Sequence, residues 1–324
     1  MGRARRSILI DTDTASDDAV ALIMALRSSE VQVEAITVVA GNVPVEQASR
    51  NALFTVELCG ADVPVVPGAG KPLIRDLQTA DWFHGRDGLG DHGYAPSNAS
   101  LAQGHAADTI VKVVRQTPGI EIITLGPLTN LALAVDRDPA LVTNVSRCVV
   151  MGGAPCCEGN VTPAAEFNIW VDPEAARAVF RSGLPIELVG WQLCRGSAVL
   201  ANDDIARLKS FGTKLAEFAV TCNSIAMRAL HTQTGEIGIS LPDPVAMGIL
   251  LDPSLCLASS DHFVKVETTS ALTRGMTVVD RLNVATDPRN REVWAETVYS
   301  GTQLNVCWQL DVPRWKALLF DALR

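Results

Sequence analysis

Four aspartates lie close together near the start of the chain, within the stretch ILIDTDTASDDAVALIMAL that covers residues 8 to 26. They separate a short apolar run from an apolar helical pattern, and they are Asp11, Asp13, Asp17 and Asp18. Like charges repel, and burying an unpaired carboxylate is costly. Oxygen ligands in this number suit a hard cation such as Ca²⁺ or Mg²⁺, with a loop carbonyl and a distant carboxylate completing the shell. The pattern therefore predicts a cation site.

The positions of these acids also allow a simpler structural explanation. Asp11 and Asp13 are two residues apart, so they point the same way from an extended strand. Ser16, Asp17 and Asp18 open the helical pattern, where carboxylates gain from free backbone N–H groups and from the helix dipole. Helix capping explains one or two of the acids but not all four.

Short apolar segments rich in Val and Ile alternate with helical patterns along most of the chain. The predicted strands are SILID, VEAITVVAG, VPVVPGA, IEIITLGP, VSRCVVMGG and IELVGW. This alternation predicts an α/β fold whose mostly parallel central sheet is flanked by helices, as in a Rossmann-like core. We predict one domain over residues 8–324, with a smaller C-terminal lobe as an alternative, preceded by a flexible leader over residues 1–7.

The carboxyl ends of the predicted strands carry the candidate functional residues. Ligands bind at this edge in open parallel sheets. Asp11 and Asp13, Asn42 of VVAGN, Gly126 of LGP and Met151 of MGG all follow apolar runs. We therefore expect these residues to meet at one edge of the sheet.

Composition narrows the classes of partner. The net charge of −9 and an aromatic content of 5% disfavour nucleic-acid binding, which needs a basic face and often stacking side chains. The sequence contains no apolar run long enough for a membrane span and no secretory leader. Its eight cysteines include no CxxC pair. These features predict a cytoplasmic protein with free thiols and a small-molecule ligand.

The segment DTDTA after a predicted strand is similar to the DxDx[TV] motif of the haloacid-dehalogenase phosphatases, in which the first aspartate is a nucleophile. Ala15 stands where that motif has Thr or Val, and a helical pattern begins almost at once. The downstream lysine of that family has no convincing counterpart. The phosphatase interpretation is therefore weak.

A second resemblance covers residues 8 to about 252. DTDTASDDAVAL resembles the DxDxxxDD signature of the nucleoside hydrolases, which cleave the N-glycosidic bond of ribonucleosides. VVAGN, FHGRDGLG, LGPLTNLALA, VVMGGAPCCEGNVTPAAEFNIWVDPEAA and LPDPVAMG follow in the order of that family. The EFNIWVDPEAA block is especially specific.

The resemblance implies a complete set of site residues. Ca²⁺ is expected to bind Asp13, Asp18, the backbone carbonyl of Leu125 and Asp243, and Asp13 is expected to take a proton from the attacking water. Asn42 is expected near that water. The predicted ribose-binding residues are Asp17, Met151, Asn160, Glu166, Asn168 and Asp243. Asp243 is thus expected to bind both the cation and the ribose. The family also implies a homodimer or a homotetramer.

The chain departs from the family immediately before Asp243. Members that prefer inosine and uridine, or pyrimidines, carry a histidine there that helps to protonate the leaving base, and purine-preferring members carry a tryptophan. This chain has Pro242, which can neither donate a proton nor stack like an indole. His231, His84 and Trp82 are the candidates for activating the leaving base, although His231 is also typical of a solvent-facing helix end. Asn42 matches the histidine-bearing branch, whereas Pro242 matches neither branch. The preferred base therefore stays open.

Pro242 also leaves a second function open. A protein that keeps the cation and ribose residues but has lost the leaving-group acid would bind ribosides with little or no turnover. The intact acidic set favours the enzyme, because loss of activity should also have eroded the cation ligands. We therefore predict a ribonucleoside hydrolase.

Overall fold

The computed structural model describes residues 5–324. Its centre is an eight-stranded sheet with the order β3-β2-β1-β4-β5-β6-β10-β7, and β8 and β9 form a separate antiparallel pair. The strands are β1 (Arg6–Thr12), β2 (Val31–Val38), β3 (Val65–Pro67), β4 (Ile120–Thr124), β5 (Val145–Met151), β6 (Ile186–Val189), β7 (Cys256–His262), β8 (Val264–Val266), β9 (Thr277–Val279) and β10 (Leu304–Leu310). Every neighbouring pair in the large sheet is parallel except β10 with β7.

Helices cover both faces of this sheet. They are α1 (Ser16–Arg27), α2 (Val45–Leu58), α3 (Asp81–His84), α4 (Ala106–Gln116), α5 (Thr129–Arg137), α6 (Phe167–Val171), α7 (Pro173–Phe180), α8 (Asn202–Ser210), α9 (Lys214–Thr221), α10 (Ser224–Thr234), α11 (Pro242–Leu251), α12 (Arg291–Ser300) and α13 (Val312–Ala322). Within residues 5–324, each helix is too short or too polar to span a bilayer.

Burial on both faces explains the apolar strand sequences. Ile8 and Ile10 of β1 belong to the core beneath α1, α2 and α11, whereas Leu9 belongs to the core beneath α4, α5 and α7. This alternation follows from the two-residue period of a strand. The six predicted strands correspond to β1–β6, so the α/β prediction is confirmed. The sheet continues through β10 and β7, and the chain forms a single α/β domain.

The predicted leader is partly wrong. Arg6 and Ser7 belong to β1 and pair with Val31 and Gln32 of β2. Backbone pairing to a neighbouring strand holds these two residues, although the sequence before Ile8 is polar. Residues 1–4 lie outside the described residues.

Candidate active site

A cavity lies at the carboxyl edge of the sheet, where β1, β2, β4 and β5 end. The residues that line it are Asp17, Asn42, Ala80, Trp82, Phe83, His84, Leu125, Met151, Asn160, Val161, Glu166, Phe167, Asn168, Trp191, Gln233, Ser240, Pro242 and Asp243. The structure therefore brings together most of the residues predicted from the sequence, as the strand-end argument anticipates.

Two helix N-termini carry an acidic cluster to this cavity. Asp17 and Asp18 occupy the first turn of α1, and Asp243 occupies the first turn of α11, which begins at Pro242. One carboxylate oxygen from each of these aspartates lies within 4.8 Å of the other two. Helix N-termini favour negative charge, but three buried carboxylates this close still repel one another. The cluster could hold a metal ion.

Asp13 lies beside this cluster rather than within it. Its Oδ2 accepts a hydrogen bond from the backbone N–H of Asn42 (2.6 Å), whereas its buried Oδ1 has no hydrogen-bond partner among the described residues. Two glycines pack against the carboxylate. A Cβ atom at Gly41 would collide with Oδ2, and one at Gly126 would lie 2.7 Å from Oδ1. The glycines of AGN and LGP therefore allow two loops to approach Asp13 closely.

Asp18 and Asp11 are held by neutral hydrogen-bond donors. Asp18 accepts hydrogen bonds from the Thr12 hydroxyl (2.6 Å) and from the backbone N–H of Ala15 (2.9 Å). Asp11 lies deeper and accepts bonds from the Thr37 hydroxyl (2.5 Å) and from Nδ2 of Asn130 (2.8 Å). Asp11 thus supports the end of β1 and does not line the cavity.

Burial controls the protonation of all these carboxylates. It raises the pKa of Asp17 and of Asp18 to about 6, and the charge of Asp17 adds to the effect on Asp18. The pKa values of Asp13 and Asp243 are also raised well above their usual range, first by burial and then by neighbouring acids. A cation between these groups would reverse this preference for the neutral form.

A wall of amide and carboxylate groups faces the acidic cluster. Nδ2 of Asn168 donates to the carbonyl of Leu125 (2.8 Å) and lies 3.3 Å from the carbonyl of Met151. Glu166 is the N-cap of α6 and accepts a bond from the backbone N–H of Asn168 (2.9 Å). Oδ1 of Asn160 accepts the N–H of Phe167 (2.9 Å), which leaves its NH₂ group for a ligand. Such groups suit a polyhydroxyl ligand.

The family model for inosine-uridine preferring nucleoside hydrolases matches residues 8–313. The chain belongs to this nucleoside hydrolase family. Its reaction, hydrolysis of the N-glycosidic bond of ribonucleosides, confirms the function predicted from the sequence. Neither binding without turnover nor the phosphatase interpretation is favoured.

Individual relatives agree with this assignment. The pyrimidine-specific ribonucleoside hydrolase RihA of Salmonella enteritidis is 39% identical over 276 residues, which cover 84% of this chain and 88% of that protein. The solved structure of a plant nucleoside hydrolase has a TM-score of 0.91 at 33% identity and covers 99% of each chain. That of a purine-preferring ribonucleoside hydrolase from Gardnerella vaginalis has a TM-score of 0.87 at 29% identity and covers 98% of each.

The two candidate histidines of this nucleoside hydrolase occupy different environments. His84 is buried against the cavity, and its Nδ1 lies 2.8 Å from the Ser16 hydroxyl and 3.8 Å from Oδ1 of Asp17. Burial lowers the pKa of His84 to about 4, although the charge of Asp18 acts in the opposite direction. His231 is exposed on α10 and is not among the residues that line the cavity. The structure therefore does not bring His231 to the site.

The outer part of the cavity contains two residues that the sequence does not single out. Trp191 is buried in its wall, and Gln233 lies at its mouth on α10. Trp82, a candidate from the sequence, also lies at the mouth and is 53% exposed. The Gln233 side chain donates a hydrogen bond to the backbone carbonyl of Asn160. No sequence pattern identifies Gln233, because it lies two residues after His231 and therefore on a different side of α10.

Proposed function

We propose that this chain hydrolyses ribonucleosides to ribose and free base with the aid of Ca²⁺. Three observations support a hard cation: the mutual proximity of Asp17, Asp18 and Asp243, the unpartnered Oδ1 of Asp13, and an all-oxygen donor set. The proposed ligands are Asp13, Asp18, the carbonyl of Leu125 and Asp243. Asp17 is the alternative to Asp13 as a ligand, since it belongs to the closest group of acids.

Asp13 is the proposed proton acceptor. When bound, the cation supplies positive charge that lowers the pKa of water and holds the ribose hydroxyls. The free lone pairs of Oδ1 are directed at no protein donor, so they can accept the proton of the attacking water. Asn42 fixes the other oxygen through its backbone N–H, and the absence of side chains at Gly41 and Gly126 lets two loops pack close to the carboxylate.

The ribose is proposed to occupy the polar inner part of the cavity. Asn160, Glu166, Asn168 and Asp17 offer donors and acceptors to the sugar hydroxyls, and Met151 lines the apolar face of the ring. As the bond to the base breaks, positive charge develops on the ribose, and nearby carboxylates stabilise that charge.

The leaving base is proposed to lie toward the mouth of the cavity. Pro242 offers it no proton, and His84 is neutral at pH 7 because burial lowers its pKa to about 4. Neutral His84 can donate a hydrogen bond to the base, but it is not an imidazolium that could transfer a proton to it. The named relatives prefer pyrimidines in one case and purines in another, so they do not decide the base for this chain.

Location and assembly are further parts of the proposal. All eight cysteines are unpaired within residues 5–324, which supports a reducing, cytoplasmic environment. The negative net charge supports a small-molecule substrate rather than a nucleic acid. A homodimer or homotetramer is proposed from family membership alone.

The experiment is a panel of ribosides that includes inosine, uridine and p-nitrophenyl riboside, assayed with and without EDTA. Hydrolysis that releases ribose and base in equal amounts, stops with EDTA and returns with Ca²⁺ is the expected result. Stoichiometric binding of every riboside without any ribose release would contradict the proposal. The activated p-nitrophenyl leaving group separates the sugar and cation machinery from base activation.

A further inference from the structure

Four charged side chains form a ladder across the centre of the sheet, on the face covered by α11. Arg6 of β1 contacts both carboxylate oxygens of Glu121 on β4 at 2.8 Å. Arg147 of β5 lies 3.6 Å from Glu121, and its Nε donates to Glu187 of β6 at 2.6 Å. The four side chains are between 11% and 29% exposed, so the ladder is largely removed from water.

Both arginines of the ladder also bind the C-terminal end of α11. Nη2 of Arg6 donates to the carbonyls of Leu250 (3.1 Å) and Leu251 (2.8 Å). Arg147 donates to the carbonyls of Leu250 (3.1 Å) and Ile249 (3.0 Å). These carbonyls belong to the last turn of the helix, where no further helical N–H can satisfy them, and positive charge there complements the helix dipole.

The opposite end of α11 carries Asp243. Nine of the ten residues of this helix are buried, mostly in apolar contacts with α1 and the sheet. Apolar contacts are non-directional and set the axial position of a helix weakly. The guanidinium hydrogen bonds are directional, and a helix moves as a rigid rod, so a shift at Leu250 is passed on to Asp243.

We propose that Arg147, together with Arg6, is a positioning residue that fixes α11 along its axis and thereby places the Asp243 carboxylate opposite Asp17 and Asp18. This inference rests on the proposed cation site. Replacing a buried ion pair by apolar groups often leaves stability unchanged, so stability alone does not account for the ladder. The ladder is accounted for by the need to place α11, which carries the proposed cation ligand Asp243.

The test is calorimetric titration of Ca²⁺ into chelator-treated, full-length protein carrying Arg147→Lys. Lysine keeps the charge, but its donors all lie on one nitrogen and do not reproduce the planar fork by which three nitrogens of Arg147 reach Glu187 and two carbonyls. We expect the Kd for Ca²⁺ to rise about tenfold to a hundredfold, the usual range when a residue that orients a ligand is lost. The melting temperature of the cation-free protein is measured in parallel.

Arg75→Lys is the matched control. Arg75 is also a partly buried arginine that binds a carboxylate, Glu174, and a backbone carbonyl, that of Thr268 (2.7 Å), but it does not contact α11. Its replacement should lower the melting temperature while leaving the Kd for Ca²⁺ unchanged.

Equal Kd values for wild type, Arg147→Lys and Arg75→Lys would overturn the positioning role, whatever the melting temperatures. If Arg147→Lys does not fold, Arg6→Lys is measured by the same criterion, because Arg6 reaches α11 from the other side of Glu121. Failure of the wild type to bind Ca²⁺ would instead contradict the proposed function itself.

Discussion

The two carboxylate oxygens of Asp13 have different surroundings, and this difference defines its proposed role. Oδ2 is held by Asn42, while Oδ1 is buried without a partner. A buried oxygen without a donor is unfavourable unless a water or an ion satisfies it. The asymmetry therefore suits a group that must hold its position and still accept a proton.

Asp13→Ala should lower the turnover of p-nitrophenyl riboside by at least about a hundredfold, the lower end of the range for general base catalysis. Asn168→Ala is the comparison, because loss of its hydrogen bonds should raise KM as well as lower kcat. Steady-state kinetics at saturating Ca²⁺ measures both. Near-normal turnover by Asp13→Ala would show that the proton acceptor is another residue.

Replacement of Asp13 and replacement of Asp17 should have different effects on cation affinity. If Asp13 is a ligand, Asp13→Asn should weaken Ca²⁺ binding about tenfold or more, whereas Asp17→Asn should chiefly weaken the binding of ribose. Titration calorimetry of both variants, with and without ribose, distinguishes the two. The reverse order of Kd values would assign Asp17 to the cation and Asp13 to the substrate side.

His84 and Pro242 determine how strongly the rate of hydrolysis should depend on the leaving group. A general acid contributes about 10²–10⁴-fold when the leaving group is poor. Since His84 is neutral near pH 7, the wild type should be slower on inosine and uridine than on p-nitrophenyl riboside. His84→Ala should widen that difference by removing a hydrogen-bond donor to the base. Ratios of kcat/KM near one in both proteins would show that Pro242 has no kinetic cost.

At the scale of elements, α10 offers a test in which two nearby side chains should behave differently. Gln233 lies at the mouth of the cavity, whereas His231 is exposed and does not line it. Gln233→Ala should reduce kcat/KM for uridine or inosine severalfold, because it removes an amide near the base and loosens Asn160. His231→Ala should match the wild type on every riboside. A loss of activity confined to His231→Ala would restore it as the candidate acid.

The elements that the sequence predicts best are those buried on both faces. The apolar runs predict β1–β6 because parallel strands covered by helices on both faces are mostly apolar. The sequence CLASSDH does not predict β7, because five of its seven residues are exposed at the edge of the sheet and carry no apolar pattern. The prediction of a flexible leader fails at Arg6 for a related reason, since Arg6 is polar but binds Glu121 and the end of α11.

The residues of the candidate site also differ in how well the sequence predicts them. Asp11, Asp13, Asp17 and Asp18 lie close together in the sequence, so their spacing alone indicates a cation. Asp243 lies far along the chain and was assigned only through resemblance, because Asp before Pro is equally typical of a helix start. Trp191 and Gln233 gave no signal, since single aromatic and amide residues carry no spacing pattern. Only the packed fold brings them to the cavity.

At the scale of the whole molecule, the buried acids couple stability to pH and to the cation. Burial raises the pKa of Asp17 and Asp18 to about 6, above an unfolded value of about 3.9. The folded, cation-free protein therefore binds more protons than the unfolded chain between these values. Its stability from this source is fully present below about pH 4 and is lost as the pH rises through about 6.

Chelator-treated protein should accordingly melt at a lower temperature at pH 7 than at pH 5. Ca²⁺ should reverse the loss at pH 7, by about 2.7 kcal/mol at a hundredfold excess over its Kd. Asp243→Asn removes one buried charge, so it should flatten the pH dependence and respond less to Ca²⁺. Scanning calorimetry at both pH values gives the answer. A wild type that is more stable at pH 7 than at pH 5 without Ca²⁺ would contradict this account.

The meeting of α1 and α11 also dictates when the site can come into existence during synthesis. β1 and α1 are synthesised before α11 and carry Asp13, Asp17 and Asp18, whereas Asp243 follows only after β2–β6 and nine further helices have been made. Before α11 is made, Asp13, Asp17 and Asp18 lack the helix that covers them in the complete fold, so we expect them to remain hydrated. We therefore expect the proposed cation to bind late in synthesis, because a chain that ends before Pro242 would carry six strands of the sheet but lack the carboxylate that completes the cluster.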